Sequence, residues 1–291
     1  MAVLIATILG LASGFGFWVA LHDGLDAPAL RRLNMAGRVV PLGGGIVLVL
    51  AVVLVAAADA FAEAVRTAPA SPVVPGALLT AVLGFGFLGL LDDLLESGEV
   101  KGFRGHASAL ARGQLTTGAV KLVGGGLVAL VVAPVRLEAP LPWLLVDGAI
   151  IALSANLANL LDRAPGRLGK VTLVLGAVLV LSHLGLPSSA GLAVVLGAAA
   201  ALLIPDLRAQ VMLGDAGANV LGAALGWALV SQVNGPGRIA ALVVVAVLNV
   251  VSERVSFSRV IAATPVLRTL DALGRRADED VVGDAPGDDG A

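Results

Sequence analysis

The sequence contains no cysteine and only three histidines, and charged residues make up just 14% of its 291 positions. The absence of cysteine excludes disulfide bonds, thiolate metal sites and cysteine nucleophiles. His22, His106 and His183 are too scattered to predict a histidine-rich metal centre. Because an average soluble domain has about 25% charged residues, this composition argues against a soluble fold.

Apolar residues dominate the chain: 58% of the residues are hydrophobic, and the mean hydropathy is +0.96. Apolar runs close to the roughly 20 residues needed to cross a bilayer recur along the whole chain. We therefore predict an all-α, polytopic integral membrane helical bundle. No basic residue precedes the first run, so we interpret it as a retained span rather than a signal peptide. Nine spans are predicted, at residues 2–21, 42–61, 75–91, 116–133, 142–161, 171–186, 190–205, 217–233 and 238–252.

The basic residues predict the orientation of these spans. With nine crossings, sixteen Lys and Arg residues fall on one side, and three, Arg66, Arg136 and Arg238, fall on the other. Because positively charged loops stay in the cytoplasm, we expect the N-terminus outside and the C-terminus inside the plasma (inner) membrane. An odd number of spans requires opposite ends, so the count and the charge bias agree.

The predicted domains are a transmembrane domain over residues 1–252, an interfacial amphipathic helix over 253–276 and a disordered acidic tail over 277–291. The helix is too charged to cross the bilayer, but its apolar residues can share one face on the cytoplasmic leaflet. Glycines within the spans indicate close helix packing, and these glycine-bearing spans also allow a homodimer. No nucleic-acid partner is expected.

Polar residues gather at the predicted cytoplasmic ends of three spans. Asp92 and Asp93 end span three, where carboxylates oppose the helix dipole, and we expect one of the two to face a site. Asn156, Asn159 and Asp162 follow one helical stripe at intervals of three. Their alternative role is hydrogen bonding between helices. Arg163 and Arg167 follow this stripe at once.

A further acid, Asp215, lies between two glycines just before span eight. Its alternative role is that of a helix N-cap. The loop after span three adds Lys101, Arg104 and His106, and Lys121 follows; the alternative for this group is simply the cytoplasmic charge bias. Hard oxygen ligands without thiols suit Mg²⁺, and also Mn²⁺. We therefore predict one cytoplasmic pocket that handles phosphates around a divalent cation.

Four motifs in this order resemble the polyprenyl-phosphate N-acetylhexosamine-1-phosphate transferases, the relatives of phospho-N-acetylmuramoyl-pentapeptide transferase. The first is Asn34-x-x-Gly37-x-x-x-Pro41-x-Gly43-Gly44, and the second ends in Asp92-Asp93. The others are Asn156-x-x-Asn159-Leu-Leu-Asp162 and Gly214-Asp215-x-Gly217.

This resemblance implies transfer of a sugar 1-phosphate from a UDP-sugar to a membrane polyprenyl phosphate, with release of UMP and a need for Mg²⁺. The implied catalytic residues are Asp92, Asp93 and Asp162, and the implied metal ligands are Asp215 and Asp162. The implied substrate-binding residues are Asn34, Lys101, Arg104, His106, Lys121, Asn156, Asn159, Arg163 and Arg167.

The chain departs from this family in two places. The best-known members have a histidine-rich loop after the ninth span, followed by a tenth span, whereas residues 252–259 contain no histidine. The usual Asp-Gly pattern is also missing after Asp162. We hypothesise that Arg163, Arg167, Arg254 or Arg259 replaces the missing cationic groups.

Two other functions are open at this point. A catalytically silent relative would bind lipid phosphate without turnover. A membrane transporter would place its ionisable groups near the bilayer midplane, whereas these acids gather at span ends.

Overall fold

The computed structural model of the protein describes residues 1–35, 37–66, 71–95, 117–133 and 141–275. Within these ranges the chain forms eleven α-helices and one short β-hairpin. The helices are α1 (Ala2–Leu25), α2 (Gly44–Val65), α3 (Gly76–Leu95), α4 (Thr117–Val132), α5 (Leu141–Leu161), α6 (Arg167–Ser182), α7 (Pro187–Leu207), α8 (Gly214–Gln232), α9 (Gly235–Ser252), α10 (Phe257–Ala263) and α11 (Pro265–Ala272).

Six of the described helices, α1, α2, α3, α5, α7 and α9, are long and apolar enough to cross a membrane. The protein is therefore an all-α membrane protein, as the composition predicts. The three remaining predicted spans coincide with α4, α6 and α8, of which α4 and α6 have only 16 residues each. Nine crossings and the orientation stay predictions.

Helix α8 lies at the centre of the bundle and packs against α2, α3, α5, α6 and α7. Its small residues permit this central position, because glycine and alanine let helix backbones approach closely. A Cβ on Gly222 would lie only 2.3 Å from the Ser154 carbonyl oxygen, and one on Gly226 would lie 3.0 Å from the Cα of Ile151. The prediction that these two glycines serve packing is confirmed.

A small β-hairpin interrupts the otherwise helical fold between α1 and α2. A 3₁₀ turn at Pro28–Leu30 leads into strand β1 (Arg31–Leu33), which pairs antiparallel with strand β2 (Val39–Pro41). The amide of Met212 donates to the Pro41 carbonyl at 2.8 Å, so the hairpin is joined to the chain just before α8. Sequence periodicity does not reveal strands of only three residues, and this hairpin was not predicted.

The segment after α9 forms two short helices instead of the single predicted one. Thr264 ends α10, and Pro265 begins α11 because proline fits the first turn of a helix but breaks its interior. Val266, Leu270 and Leu273 are exposed along this segment. Its location on the membrane surface stays a prediction, and the acidic tail at 277–291 lies outside the described residues.

Candidate active site

One cavity of about 460 Å³ opens where loops and helix ends meet at one end of the bundle. Its lining residues come from the hairpin after α1, from the ends of α3, α5 and α7, and from the starts of α4 and α8. Eight predicted site residues line the cavity, namely Asn34, Asp92, Asp93, Lys121, Asn159, Asp162, Arg163 and Asp215. The structure therefore brings these eight residues to one cavity, and the roles predicted for them stay predictions.

Asp93 is buried at the end of α3, where its carboxylate caps the first turn of α8. Its Oδ1 accepts from the Asp215 amide and its Oδ2 from the Ala216 amide, each at 3.0 Å. A helix N-terminus carries a partial positive charge and unpaired N–H groups, so a carboxylate is favourable there. This contact explains an acid at the C-terminal end of α3, which the dipole of its own helix disfavours.

Three glycines make this contact possible. A Cβ on Gly89 would lie 2.3 Å from the Asp215 carbonyl oxygen, and one on Gly45 would lie 2.3 Å from the Gly217 nitrogen. Gly214 has a φ of +66°, and a Cβ there would lie 2.8 Å from Oδ2 of Asp93. Because a side chain at any of these positions would push the helices apart, the glycines set the distance from Asp93 to α8.

Lys121, in the second turn of α4, connects two acids of the cavity. Its Nζ donates to Oδ2 of Asp92 at 3.3 Å and also to Oδ2 of Asp215. Asn159 donates to the same Asp215 oxygen at 3.2 Å. Asp215 is the second residue of α8 and does not act as its N-cap, so the alternative role considered for it is wrong. Both Asp92 and Asp93 line the cavity, although only one was expected to do so.

The hairpin closes another side of the cavity. The guanidinium of Arg32 donates to the carbonyl oxygen of Asp93 at 2.5 Å, which is favourable at the negative end of α3. Asn34 shapes the hairpin turn, because its Oδ1 accepts from the Arg38 amide at 2.9 Å. The first sequence motif therefore places Asn34 at the cavity edge through local turn geometry.

Two predicted substrate-binding residues lie elsewhere. Asn156 donates to Oδ1 of Asn249 on α9 at 2.7 Å, which is the interhelical role that was its alternative. Arg167 lies behind the cavity wall, where its guanidinium forms a two-point ion pair with Asp271. Neither side chain is brought to the cavity. Lys101, Arg104 and His106 lie outside the described residues.

Two cavity residues, Arg32 and Asp206, were missed as site residues by sequence reasoning. Asp206 ends α7, and its Oδ2 accepts from the Gly166 amide at 3.0 Å. Its signal was the same as that of Asp92 and Asp93, namely an acid at the predicted cytoplasmic end of a span. Arg32 had been counted only as part of the positive charge bias.

The donor set of the cavity suits a hard divalent cation that a substrate helps to bind. Five carboxylates and three cationic side chains occur among the described lining residues. No group of three or more His, Asp or Glu residues in the described ranges is arranged to hold a metal by itself. However, Mg²⁺ typically takes one or two carboxylates and completes its shell with phosphates and water. In this structure the Lys121 ammonium lies against Asp92 and Asp215, so this pair of carboxylates already attracts a cation.

A search of the curated proteins finds no match. The family model described as glycosyl transferase family 4 matches residues 75–233, which is more than half of the chain. The matched range contains Asp92, Asp93, Asn159, Asp162 and Asp215, and thus most of the polar residues around the cavity.

The match confirms the resemblance seen in the sequence motifs. The chain belongs to glycosyl transferase family 4, the family of phospho-MurNAc-pentapeptide transferase and related polyprenyl-phosphate hexosamine-1-phosphate transferases.

Proposed function

We propose that this protein transfers a sugar 1-phosphate, of the N-acetylhexosamine type, from a UDP-sugar to a membrane polyprenyl phosphate and releases UMP. Family membership implies sugar-phosphate transfer to a polyprenyl phosphate; the UDP donor, Mg²⁺ and a cytoplasmic site at the plasma membrane are our proposal. One observation carries it: acids and cations from six separate chain segments share one cavity at one end of a membrane bundle.

The reaction requires little acid–base chemistry from the protein. A phosphate monoester has its second pKa near 6, so the lipid phosphate is mostly ionised at neutral pH. One of its oxygens attacks the β-phosphorus of the UDP-sugar, and the bond from that phosphorus to the oxygen bridging the two phosphates breaks. The bond electrons leave with UMP, and a lipid-linked diphosphate sugar forms. Positioning and charge neutralisation dominate such transfers.

The cavity residues take distinct roles in this proposal. Arg32, Lys121 and Arg163 supply positive charge for the phosphates of donor and acceptor. Asp215 and Asp162 would hold Mg²⁺, which when bound neutralises the charge of the diphosphate. Asp93 positions Asp215 by holding the first turn of α8 in place.

The arrangement of acids favours transfer over transport. Transporters place their ionisable sites near the bilayer midplane on interrupted helices. Here Asp93, Asp162 and Asp215 lie at helix ends or within two residues of them, on one side of the bundle. A polar cavity at one end of the helices suits a substrate that stays on one face of the membrane.

The test is an assay of purified protein in lipid nanodiscs with labelled UDP-sugars, polyprenyl phosphate and Mg²⁺. We expect one donor of the panel to yield UMP and a lipid-linked product in equal amounts. Asp215→Asn should abolish both, while Arg268→Gln, at an exposed position outside the cavity, should leave them unchanged. Binding of lipid phosphate without product from any donor would indicate a silent relative, and solute flux in vesicles would indicate a transporter.

A further inference from the structure

The C-terminal segment of the described chain, residues 257–275, contacts residues at and just after the end of α5 without lining the cavity itself. We call this segment the C-terminal latch, and we call residues 162–166 the site loop. The site loop contributes Asp162, Arg163, Ala164 and Pro165 to the cavity. The latch lies outside the range of the family match, which ends at residue 233.

An ion pair connects the latch to the residue just after the site loop. Nε and Nη2 of Arg167 donate to the two carboxylate oxygens of Asp271, each at 2.8 Å. Nη1 of Arg167 donates to Oγ of Ser258 at 2.8 Å, so one guanidinium binds both α10 and α11. The side chains of Arg167 and Asp271 are only 7% and 11% exposed. Two-point pairs of this kind define orientation as well as distance.

A second set of contacts reaches the site loop itself. Nε of Arg275 donates to the Pro165 carbonyl at 2.9 Å, and its Nη2 pairs with Asp271 at 2.8 Å. Lys170 donates to carbonyl oxygens at the end of α11, including that of Leu270 at 2.9 Å. A cation there stabilises a helix C-terminus. The latch therefore binds on both sides of Gly166.

The end of α7 holds the same loop from another direction. Oδ2 of Asp206 accepts from the Gly166 amide, and the Leu207 side chain packs against Gly166 and Gly274. Gly166 has a φ of +69°, and a Cβ there would lie 2.2 Å from Cδ2 of Leu207. The site loop is thus fixed between α7 and the latch, and its conformation depends on both.

We infer that the C-terminal latch positions the site loop, through Arg167–Asp271 and Arg275–Pro165, so that Asp162 and Arg163 face the phosphates of the bound donor. This inference rests on the proposed function for the identity of the donor. Asp271 and Arg275 are positioning residues, since neither lines the cavity in the described structure. Arg167, which sequence reasoning assigned to the substrate, acts through the same contacts.

The absence of cysteine provides a reporter that does not depend on catalysis. A single Ala164→Cys substitution places a thiol on the half-buried cavity face of the site loop. In the full chain in nanodiscs, we expect Asp271→Asn to raise the rate of maleimide labelling at this position about fivefold or more, as a held loop becomes mobile. Arg268→Gln, an exposed charge change in α11, should leave the rate unchanged.

Kinetics then separate positioning from a direct substrate contact. With the latch broken by Asp271→Asn, KM for the UDP-sugar should rise about tenfold, the loss of roughly one charged hydrogen bond. KM for polyprenyl phosphate should stay unchanged. Because Arg167 and Asp271 share one ion pair, the rise in donor KM in the Arg167→Gln/Asp271→Asn double variant should be smaller than the two single-variant effects combined.

The outcomes distinguish this inference from the proposed function. Unchanged labelling in Asp271→Asn would overturn the latch, and so would an Arg167→Gln defect that Asp271→Asn does not share. Faster labelling with an unaltered donor KM would overturn its positioning role. If no UDP-sugar is turned over by the wild-type protein, the proposed function fails while the labelling experiment still tests the latch. Should Asp271→Asn fail to fold, Arg275→Gln removes the Pro165 contact in its place.

Discussion

The carboxylate of Asp93 on α3 accepts the backbone amide of Asp215 on α8 at 3.0 Å, across 122 positions of sequence. The same carboxylate accepts the next amide along α8, so one acidic side chain caps the helix that presents another. The arrangement joins two of the sequence motifs at a single point. Asp93 therefore has a structural role in the site. Asp92 and Asp215 instead contact Lys121, one of the cationic side chains that line the cavity.

Substitutions can test these different roles of Asp92 and Asp93. Asp93→Ala removes a buried cap and should lower the stability of the fold by about 0.5–2 kcal/mol, together with activity. Asp92→Asn should lower activity with little effect on stability, since the Asp92 side chain is 19% exposed, whereas Asp93 is buried, and Asp92 contacts Lys121 in the cavity. Thermal unfolding in detergent and UMP release measure the two effects. Equal stability of both variants would contradict the capping role.

We expect turnover to depend on the positive charge of Lys121. Lys121→Met removes the ammonium beside Asp92 and Asp215, and we expect turnover to fall about 100-fold, as when one charge-stabilising donor is lost from an active site. Lys121→Arg keeps the charge with another shape and should retain part of the activity. Steady-state assays at saturating donor check this, and wild-type turnover in Lys121→Met would exclude a catalytic role for the ammonium.

Divalent cation binding should be visible without turnover. A ligand that binds only the folded protein at about 100 times its Kd adds about 2.7 kcal/mol of stability. We therefore expect Mg²⁺ with UMP to raise the unfolding temperature, and EDTA to reverse the shift and stop the reaction. Asp215→Asn should lose the Mg²⁺-dependent part of the shift. The same shift in Asp215→Asn and wild type would rule out Asp215 as a ligand.

The C-terminal latch should release at low pH. Burial alone would raise the pKa of Asp271, but the hydrogen bonds and charges of Arg167 and Arg275 hold it below its ordinary value of 3.8. The contribution of this carboxylate to stability is therefore present above that value and is lost as the pH falls through the lower pKa of the folded protein. Arg167 and Arg275 are the cations that pair with this carboxylate.

A spin label on the Ala164→Cys variant can follow this release. We expect the label to become mobile only as the pH falls below 3.8, through the lowered pKa of the Asp271 carboxylate in the folded protein. The Asp271→Asn variant should be mobile already at neutral pH and show no further change. A low-pH transition that persists in Asp271→Asn would assign the titration to other acids of the cavity wall.

At the opposite end of α8 from the cavity, a buried ion pair should affect stability alone. Nη1 of Arg238 donates to Oδ2 of Asp147 at 2.9 Å, with side-chain exposures of 4% and 2%. Asp147→Asn removes the charge that faces the Arg238 guanidinium, and loss of one member of a buried ion pair costs about 3–5 kcal/mol. The 19 residues of α8 span about 28 Å. We expect a lower unfolding temperature but an unchanged KM for both substrates; a large change in either would reveal coupling across the bundle.

The places where sequence reasoning failed share one cause. Asn156 and Asn159 lie on one helical stripe, but α9 meets Asn156 through Asn249 while α8 meets Asn159 through Asp215. Arg167 follows the polar motif directly, yet its guanidinium turns to Asp271, 104 positions away. In each case the sequence shows which residues are adjacent along the chain, but it does not show which side chain each residue contacts in the folded protein.

The sequence by itself determined the membrane bundle, the approximate limits of its long helices and the motifs that identify the family. These properties depend on composition, hydropathy and local spacing, which are readable along one chain. Only the tertiary structure decided which acid caps α8, which polar residues face the cavity and what holds the site loop. Those outcomes depend on contacts between distant segments, such as Asp93 with Asp215 and Arg167 with Asp271, and helix packing alone brings these groups within hydrogen-bonding distance.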